Sequence, residues 1–473
     1  MRYRPSDPSV FGNLLTYRIP FPISMDPSEE AGAKENVLRI VQEQDVKFVE
    51  MQFSDILGTV KSVSIPIESL EDAIEEGVSI DGSSILGYAT AEESDFKGMP
   101  IMDSLQIYPW TCGTDTKTAR LLCRIYDHNG NRFGGDPRYA LERVVERARE
   151  MGYVFNVGPE LEFFLLRMDD IDNGILQPSD RGRYFDLMPV DRGESVRKQI
   201  VTNFNRMGFR VEASHHEVAP GQQEIKLRYG DALTLADRVM TMKFGVRNIA
   251  RLNGLHATFM PKPFVDENGN AMHVHQSLAD TYGRNAFDDP DGEYGLSKVA
   301  LMYIGGLLTH AKETCGILTS HINSYKRLMP GYEAPCHISW AHRNRSALLR
   351  VPSMRGRGTR VEHRNPDPAG NPYLQFAVML SAGLDGIEND ILPPEPVEKD
   401  LYTMSQKERV MHGLESLPEN LGEALDHMAG SEFMRETLGE HILEHYLFIK
   451  KREWNEYKRQ ITPWELERYI MTV

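Results

Sequence analysis

The chain has 473 residues, 41% of them hydrophobic and 26% charged, a globular composition that excludes a disordered chain, a collagen-like repeat and a small disulfide scaffold. Its 69 acidic residues outnumber 53 basic ones, for a formal net charge of −16; most of the surface therefore repels nucleic acid and membranes, and an anionic ligand needs a local basic patch. The four cysteines (Cys112, Cys123, Cys315 and Cys336) show no C-x-x-C spacing and read as reduced thiols of a cytoplasmic protein.

Residues 1–35 form an extension rich in Pro, Ser and Glu, broken by Pro5, Pro8, Pro20 and Pro22 and lacking the apolar stretch of a secretory leader. A short helix is expected over Asn36–Gln44. Val46–Phe53 and Val60–Ile65 read as strands around the turn Asp55-Ile-Leu-Gly58. Leu70, Ala73 and Ile74 give a helical face stopped by Gly77, and Ile101–Tyr108 with Ala119–Tyr126 make a further strand pair. This order defines a compact α+β domain over 36–130, bounded by the turn-rich Asp127–Asp136. From 131 to 473 helices alternate with strands that are polar on one side. The clearest helix runs from Ala232 to Asn253, with Leu235, Val239, Met242, Val246 and Ile249 at helical spacing and Gly254 ending it. The most apolar run, Val299–Leu308, is about half a membrane span, and the chain after Pro366 reads as largely helical.

Glu160 and Glu162 lie two apart in the apolar segment Gly158–Leu166, so a strand's period of two puts both carboxylates on one face. Close carboxylates beside phenylalanines repel each other and lose hydration, so one protonates unless a cation sits between them. Glu217 and Glu224 flank a loop able to aim both inward, His273 and His275 share a strand face, and Glu362 sits in Arg360-Val-Glu-His-Arg364. Oxygen-dominated ligands with one or two imidazoles suit Mg²⁺ or Mn²⁺ better than Zn²⁺. Together these residues could build two adjacent metal sites of the kind that clamps transferring phosphates.

Against the global charge, residues 343–364 hold seven arginines (343, 345, 350, 355, 357, 360 and 364) and the single acid Glu362. A solvated basic face is one reading. Alternation with apolar residues turns some guanidinium groups inward, however, where their forked donors suit phosphate and carboxylate, and Gly356 and Gly358 allow close backbone approach. The strip reads as an ATP site, although neither a Walker A loop nor a Rossmann turn occurs. His441-Ile-Leu-Glu-His445 matches a zinc-peptidase pattern at a length expected by chance. His216-Glu217-Val-Ala-Pro220 fails H-E-x-x-H, because Pro220 stands in place of the second histidine.

Seven motifs occur in order: Phe53-Ser-Asp-Ile-Leu-Gly58, Asp81-Gly-Ser-Ser84, Gly158-Pro-Glu-Leu-Glu-Phe163, Lys262-Pro263, Asn323–Pro335, Arg343-Asn-Arg-Ser346 and Asn365–Tyr373. Through them the chain from Asn36 to Val473 resembles type I glutamine synthetase. The resemblance implies a small β-grasp N-terminal domain and a large catalytic domain with a curved antiparallel sheet surrounded by helices. It implies a dodecamer of two stacked six-membered rings with active sites shared between neighbours, and ATP, L-glutamate and ammonium as substrates. By motif, one Mg²⁺ or Mn²⁺ falls to Glu162, Glu217 and Glu224, and a second to Glu160, His273 and Glu362. Glutamate falls to Asn268, Gly269, Arg327, Glu333, Arg345 and Arg364. ATP falls to Glu212, His275, Ser277, Arg345, Arg350 and Arg357, the last a position where the family more often has Lys. The catalytic set is Asp55 from the adjacent subunit, Tyr184, Glu333 and Arg345, with Pro330–Pro335 as a closing flap.

Three departures stand out. Asn268-Gly-Asn-Ala-Met-His273 adds bulk to the glutamate-side loop, and Thr90 falls where the feedback-inhibited branch usually has Arg. Tyr402, in Asp400–Met404, lacks the acidic and proline context of the adenylylated branch, so no adenylylation is expected. The first alternative function is a γ-glutamylamine synthetase taking an organic amine. Such relatives commonly lose the flap Glu or the hairpin Asp, and both remain here. A non-catalytic assembly would have lost metal ligands, yet all six positions hold competent residues. A phosphagen-type phosphotransferase would release a stable phosphorylated product.

Overall fold

The computed structural model describes residues 27–89 and 94–473; residues 1–26 of the extension and Thr90 lie outside the described residues. A helix spans Pro27–Glu43, beginning ahead of the expected Asn36. The small sheet contains β1 (Phe48–Ser54), β2 (Val60–Pro66), β3 (Val78–Asp81), β4 (Asp95–Ile107) and β5 (Thr118–Tyr126) in the order β2-β1-β5-β4-β3. Its central pair, β1 and β5, is parallel, which is the β-grasp arrangement. The helix Leu70–Glu76 packs Leu70, Ala73 and Ile74 inward and stops at Gly77, whose φ of 74° suits glycine. The sequence reading lacked β3. It has only two inward apolar residues, Val78 and Ile80, too few to display a period.

The large sheet is built from β6 (Tyr153–Arg167), β7 (Val211–His216), β8 (Gln222–Leu227), β9 (Gly230–Asp231), β10 (Leu255–Thr258), β11 (Met272–Asp280), β12 (Trp340–His342), β13 (Leu349–Val351) and β14 (Val361–His363). Its order is β12-β13-β14-β11-β6-β8-β7, with β9 and β10 also on β6. The pairing is antiparallel, as expected, except for β12 and β13, which run parallel because residues 343–348 carry the chain back before it re-enters the sheet. One face of β6 is lined by Leu161, Phe163 and Leu165, all fully buried, so the other face is free to carry polar groups.

Helices cover the apolar side. Helix Ala232–Leu252 buries Leu235, Val239, Met242, Val246 and Ile249, the stripe expected from the sequence. Helix Pro372–Glu388 is buried nearly all round. A Cβ on its Gly386 would lie 2.1 Å from Met302 O, so glycine lets it pack backbone-to-backbone on helix Lys298–Thr309. The small domain is keyed into this core: Ile56, fully buried, belongs to the large cluster rather than its own, and Asn371 Nδ2 donates to Asp55 O at 3.1 Å. No helix among the described residues is long and apolar enough to cross a membrane.

Candidate active site

Strand register assembles the site. Glu162 on β6 lies opposite Glu224 on β8, and Glu160, two residues earlier, lies opposite His273 on β11. His275, next but one on β11, faces Glu362 on β14, which in turn faces Arg350 on β13. Five neighbouring strands thus set one row of chemistry on the polar face. Ser277 follows His275 on the same side of β11 and is half-buried.

The row divides into two halves. In the first, Glu162 is buried, accepts from Gln222 Nε2 at 3.0 Å and Ala271 N at 2.9 Å, and is held well above the carboxylate range by burial and by Glu217 and Glu224. Glu217 is raised to about 7 by burial and by Glu224, with Glu333 adding to the same field. The cation that approaches is His215, with Nε2 3.3 Å from Glu224 Oε1 and Nδ1 3.9 Å from Glu217 Oε1. Three carboxylates facing one imidazole remain short of positive charge. An oxygen-rich donor set of this kind fits a divalent Mg²⁺-type ion.

In the second half the protein supplies its own cations. Glu362 is buried, yet Arg364 (2.5 Å) and Arg350 on its two oxygens, with His275 and His273 nearby, hold it well below the carboxylate range. Burial raises Glu160, but His275 Nε2 at 2.9 Å and His273 at 3.6 Å outweigh it and bring it well down. Lys226 Nζ lies 3.1 Å from the same carboxylate. His273 Nδ1 lies 3.7 Å from Glu362, and burial followed by Arg364 lowers its basicity, leaving the neutral imidazole a metal ligand must be. His273 Nε2, buried, finds no hydrogen-bond partner among the described residues. Ligand atoms of Glu160, His275 and Glu362 lie within 4.8 Å of one another, with His273 beside both carboxylates, so this half too has a donor set that fits a divalent ion, with His275 as well as the expected His273 in reach.

The residues expected from the sequence to bind glutamate lie mostly beside the first half, with Arg364 reaching the second. Gly269 O accepts from Gln222 Nε2 at 3.0 Å, and a Cβ on Gly269 would lie 2.2 Å from Pro261 O and 2.9 Å from Arg327 Cγ, so glycine is required there. Arg327 is buried and donates to the carbonyls of Asn365 and Pro366. Asn268 Nδ2 donates to Glu333 Oε2 at 3.4 Å and Arg364 Nη2 to Glu333 O at 3.5 Å. Glu333 has a φ of 56°, a left-handed conformation that is uncommon outside glycine and is maintained by its surroundings. Tyr184 stacks on Phe185, meets His215 edge-on, and is hydrogen-bonded to Arg345 within the field of Glu217.

Other assigned residues lie apart. Asp55 is 3% exposed; its carboxylate accepts from Leu57 N and Thr59 N, with Lys61 3.5 Å away. No contact joins it to Tyr184 or Glu333 of the same chain among the described residues. Glu212 sits on the outer strand β7, 3.5 Å from Lys226, and lines an open cleft of about 720 Å³ with Arg228 and Tyr229. Of the arginine strip, Arg357 is exposed, and Arg355 is turned onto neighbouring segments, donating to Tyr294 O at 2.8 Å and meeting His342 Nε2 at 2.6 Å.

Two contributors escaped the sequence reading. His215 was passed over with the failed H-E-x-x-H pattern, although it lies two residues from Glu217. Arg360, counted in the strip without a role, donates from Nε to His275 Nδ1 at 3.1 Å. The zinc-peptidase decoy is structural: His441 Nε2 bonds Gly87 O at 3.0 Å, and His441 stacks on His445.

A β-grasp domain keyed onto a largely antiparallel sheet, with paired acidic centres and an arginine border on the polar face of that sheet, defines a two-domain protein with one candidate site for anionic ligands and divalent ions. The chain matches the family models described as "Glutamine synthetase, beta-Grasp domain" over residues 45–128 and "Glutamine synthetase, catalytic domain" over 134–469. It is 51% identical over 437 residues to the glutamine synthetase of Methanosarcina mazei, covering 92% of this chain and 97% of that one. It is 45% identical over 436 residues to that of Thermotoga maritima, covering 92% and 99%. A solved structure described as "GmaS/ADP complex-Conformation 1" superposes with a TM-score of 0.84 at 32% identity, covering 92% of this chain and 99% of that one. The chain belongs to the glutamine synthetase family and is an enzyme.

Proposed function

We propose that this enzyme joins ammonia to the γ-carboxylate of L-glutamate at the expense of ATP, through γ-glutamyl phosphate, giving L-glutamine, ADP and phosphate in the cytoplasm. The observation that carries the reading is Glu333, an acid held in a left-handed conformation beside Asn268, Arg364 and the Glu217 field. A carboxylate so placed binds ammonium and takes its proton, which the amine must lose to become a nucleophile. Arg327, Arg345 and Arg364 supply forked donors for the substrate carboxylates. Arg350 and His275 border the phosphate side, and Glu212, Ser277 and Arg357 the nucleotide beyond it. That a chain related by structure is described as an ADP complex supports this side.

Glu162, Glu217 and Glu224 would hold one Mg²⁺ or Mn²⁺, and Glu160, His273 and Glu362 a second, which when bound offset the charge of transferring phosphate oxygens. Tyr184 and the flap around Glu333 close over the acyl phosphate and exclude water. Asp55, whose carboxylate contacts Leu57 N, Thr59 N and Lys61 and neither Tyr184 nor Glu333 among the described residues, is read as serving a neighbouring subunit within a dodecamer. The family names of the relatives favour ammonia over an organic amine. The deciding experiment is ATP turnover with ammonium, methylamine and putrescine: a rate with ammonium is expected, and none with ammonium alongside a rate with an organic amine would replace this reading.

A further inference from the structure

We propose that Tyr402 is a positioning residue for the amide-forming step, fixing the root of the flap so that Glu333 stays at the ammonium position. The inference rests on the reading of Glu333 given above.

Glu333 is exposed, and its left-handed backbone has no glycine to relieve it; something must hold the peptide on either side. On the tip side, Lys262 Nζ lies 3.5 Å from the centre of the Tyr332 ring, and Lys262 N donates to Asn323 Oδ1 at 2.7 Å. On the root side, Ala334 is 1% exposed, and the Tyr402 hydroxyl donates to its carbonyl at 2.9 Å. Arg364, which neighbours Tyr402, reaches the carbonyl of Glu333 itself. The two carbonyls that follow the strained φ are therefore each held from a different segment.

Tyr402 is itself anchored to the loop that presents Arg345. Leu401 N donates to Ser346 Oγ at 3.0 Å, and Ser346 Oγ in turn donates to Asn344 Oδ1 at 2.8 Å. Asn344 Nδ2 reaches Val397 O at 3.1 Å and Lys399 O at 2.9 Å. Asp400 Oδ1 accepts from Tyr402 N at 3.0 Å and sets the turn that aims the ring. Both residues flanking Arg345 thus grip segment 397–401, and the next residue along grips the flap. One small platform links the guanidinium read as binding substrate to the carboxylate read as binding ammonium.

Tyr402→Phe deletes only the hydroxyl. The expected result is an apparent KM for ammonium raised about tenfold, the order of one lost hydrogen bond, with the KM for ATP unchanged. The flap should also leak water, so the yield of glutamine per ADP falls below that of the unaltered enzyme. Ser346→Ala, which frees the other end of the platform, should shift both quantities the same way by less. Because Tyr402 acts through Glu333, adding Tyr402→Phe to Glu333→Ala should change nothing further, whereas a merely structural loss would add. An unaltered ammonium KM and coupling ratio in Tyr402→Phe, or additive losses in the double variant, would overturn the proposal. Should Glu333→Ala alone leave ammonium dependence untouched, the reading of Glu333 fails and the proposal falls with it.

Discussion

The two acidic halves of the site differ in who supplies the positive charge. Around Glu362 and Glu160 the chain brings Arg350, Arg364, His275 and Lys226 into contact, and both carboxylates stay ionised. Around Glu162, Glu217 and Glu224 it brings one histidine, and two of the three carboxyls are pushed upward. Glu160 and Glu162 sit two residues apart on β6 and both are largely buried, so burial alone does not explain the contrast; counter-charge does. The Glu160 and Glu362 half carries much of its own counter-charge, while the Glu162, Glu217 and Glu224 half depends more on a bound ion to supply it.

The comparison is tested most severely by Glu224→Gln. In the ion-dependent half it should lower glutamine formation by more than about 100-fold, beyond the range for outer-shell partners, with a parallel loss of Mn²⁺ affinity by electron paramagnetic resonance. An unchanged affinity would move the ion elsewhere. In the self-compensated half, Arg364→Ala strands the buried Glu362 and should destabilise the fold by about 3–5 kcal/mol in denaturant melts, while raising the KM for glutamate. A stable variant with a normal KM would remove Arg364 from both roles.

The pH dependence separates the halves in one sample. The folded-state value of Glu217, about 7, lies above the ordinary 4.5, so the native state binds its proton more tightly than the unfolded chain. Its contribution is full below about pH 4.5 and lost as pH rises through 7, amounting to about 3 kcal/mol at most. EDTA-treated protein should therefore lose melting temperature from pH 5 to 7.5, and Mn²⁺ should restore more of it at pH 7.5 than at pH 5. Equal restoration at both would show that the triad is already neutralised. The smallest effect belongs to Arg357→Lys: the side chain is exposed, and an exposed charge retained should change the KM for ATP by less than about twofold.

Legibility in the sequence followed the length and regularity of each signal. The 21-residue helix Ala232–Leu252 carries several turns of apolar spacing, and its stripe appears in the structure as read. β3, with Val78 and Ile80 alone facing in, offers nothing a period can register. Glu160 and Glu162 were readable as a same-face pair because strand period is local. His215 was not: its place against Glu224 depends on a bend in the pairing of β7 with β8, which no local pattern reports. Arg355 looked equivalent to Arg350 along the chain, yet one is tied to the carbonyl of Tyr294 and the other reaches Glu362.

By itself the sequence determined which groups exist: a surplus of acid, a strip of arginines, glutamates at strand spacing, and glycines where the backbone must turn or approach. Those facts are local, because propensity, period and charge need only a few neighbouring residues. Tertiary structure alone decided which carboxylates would meet an arginine and which would meet one another, since that depends on how β6, β8, β11 and β14 align side by side. Electrostatic energy falls with distance and rises with burial, and the fold sets both.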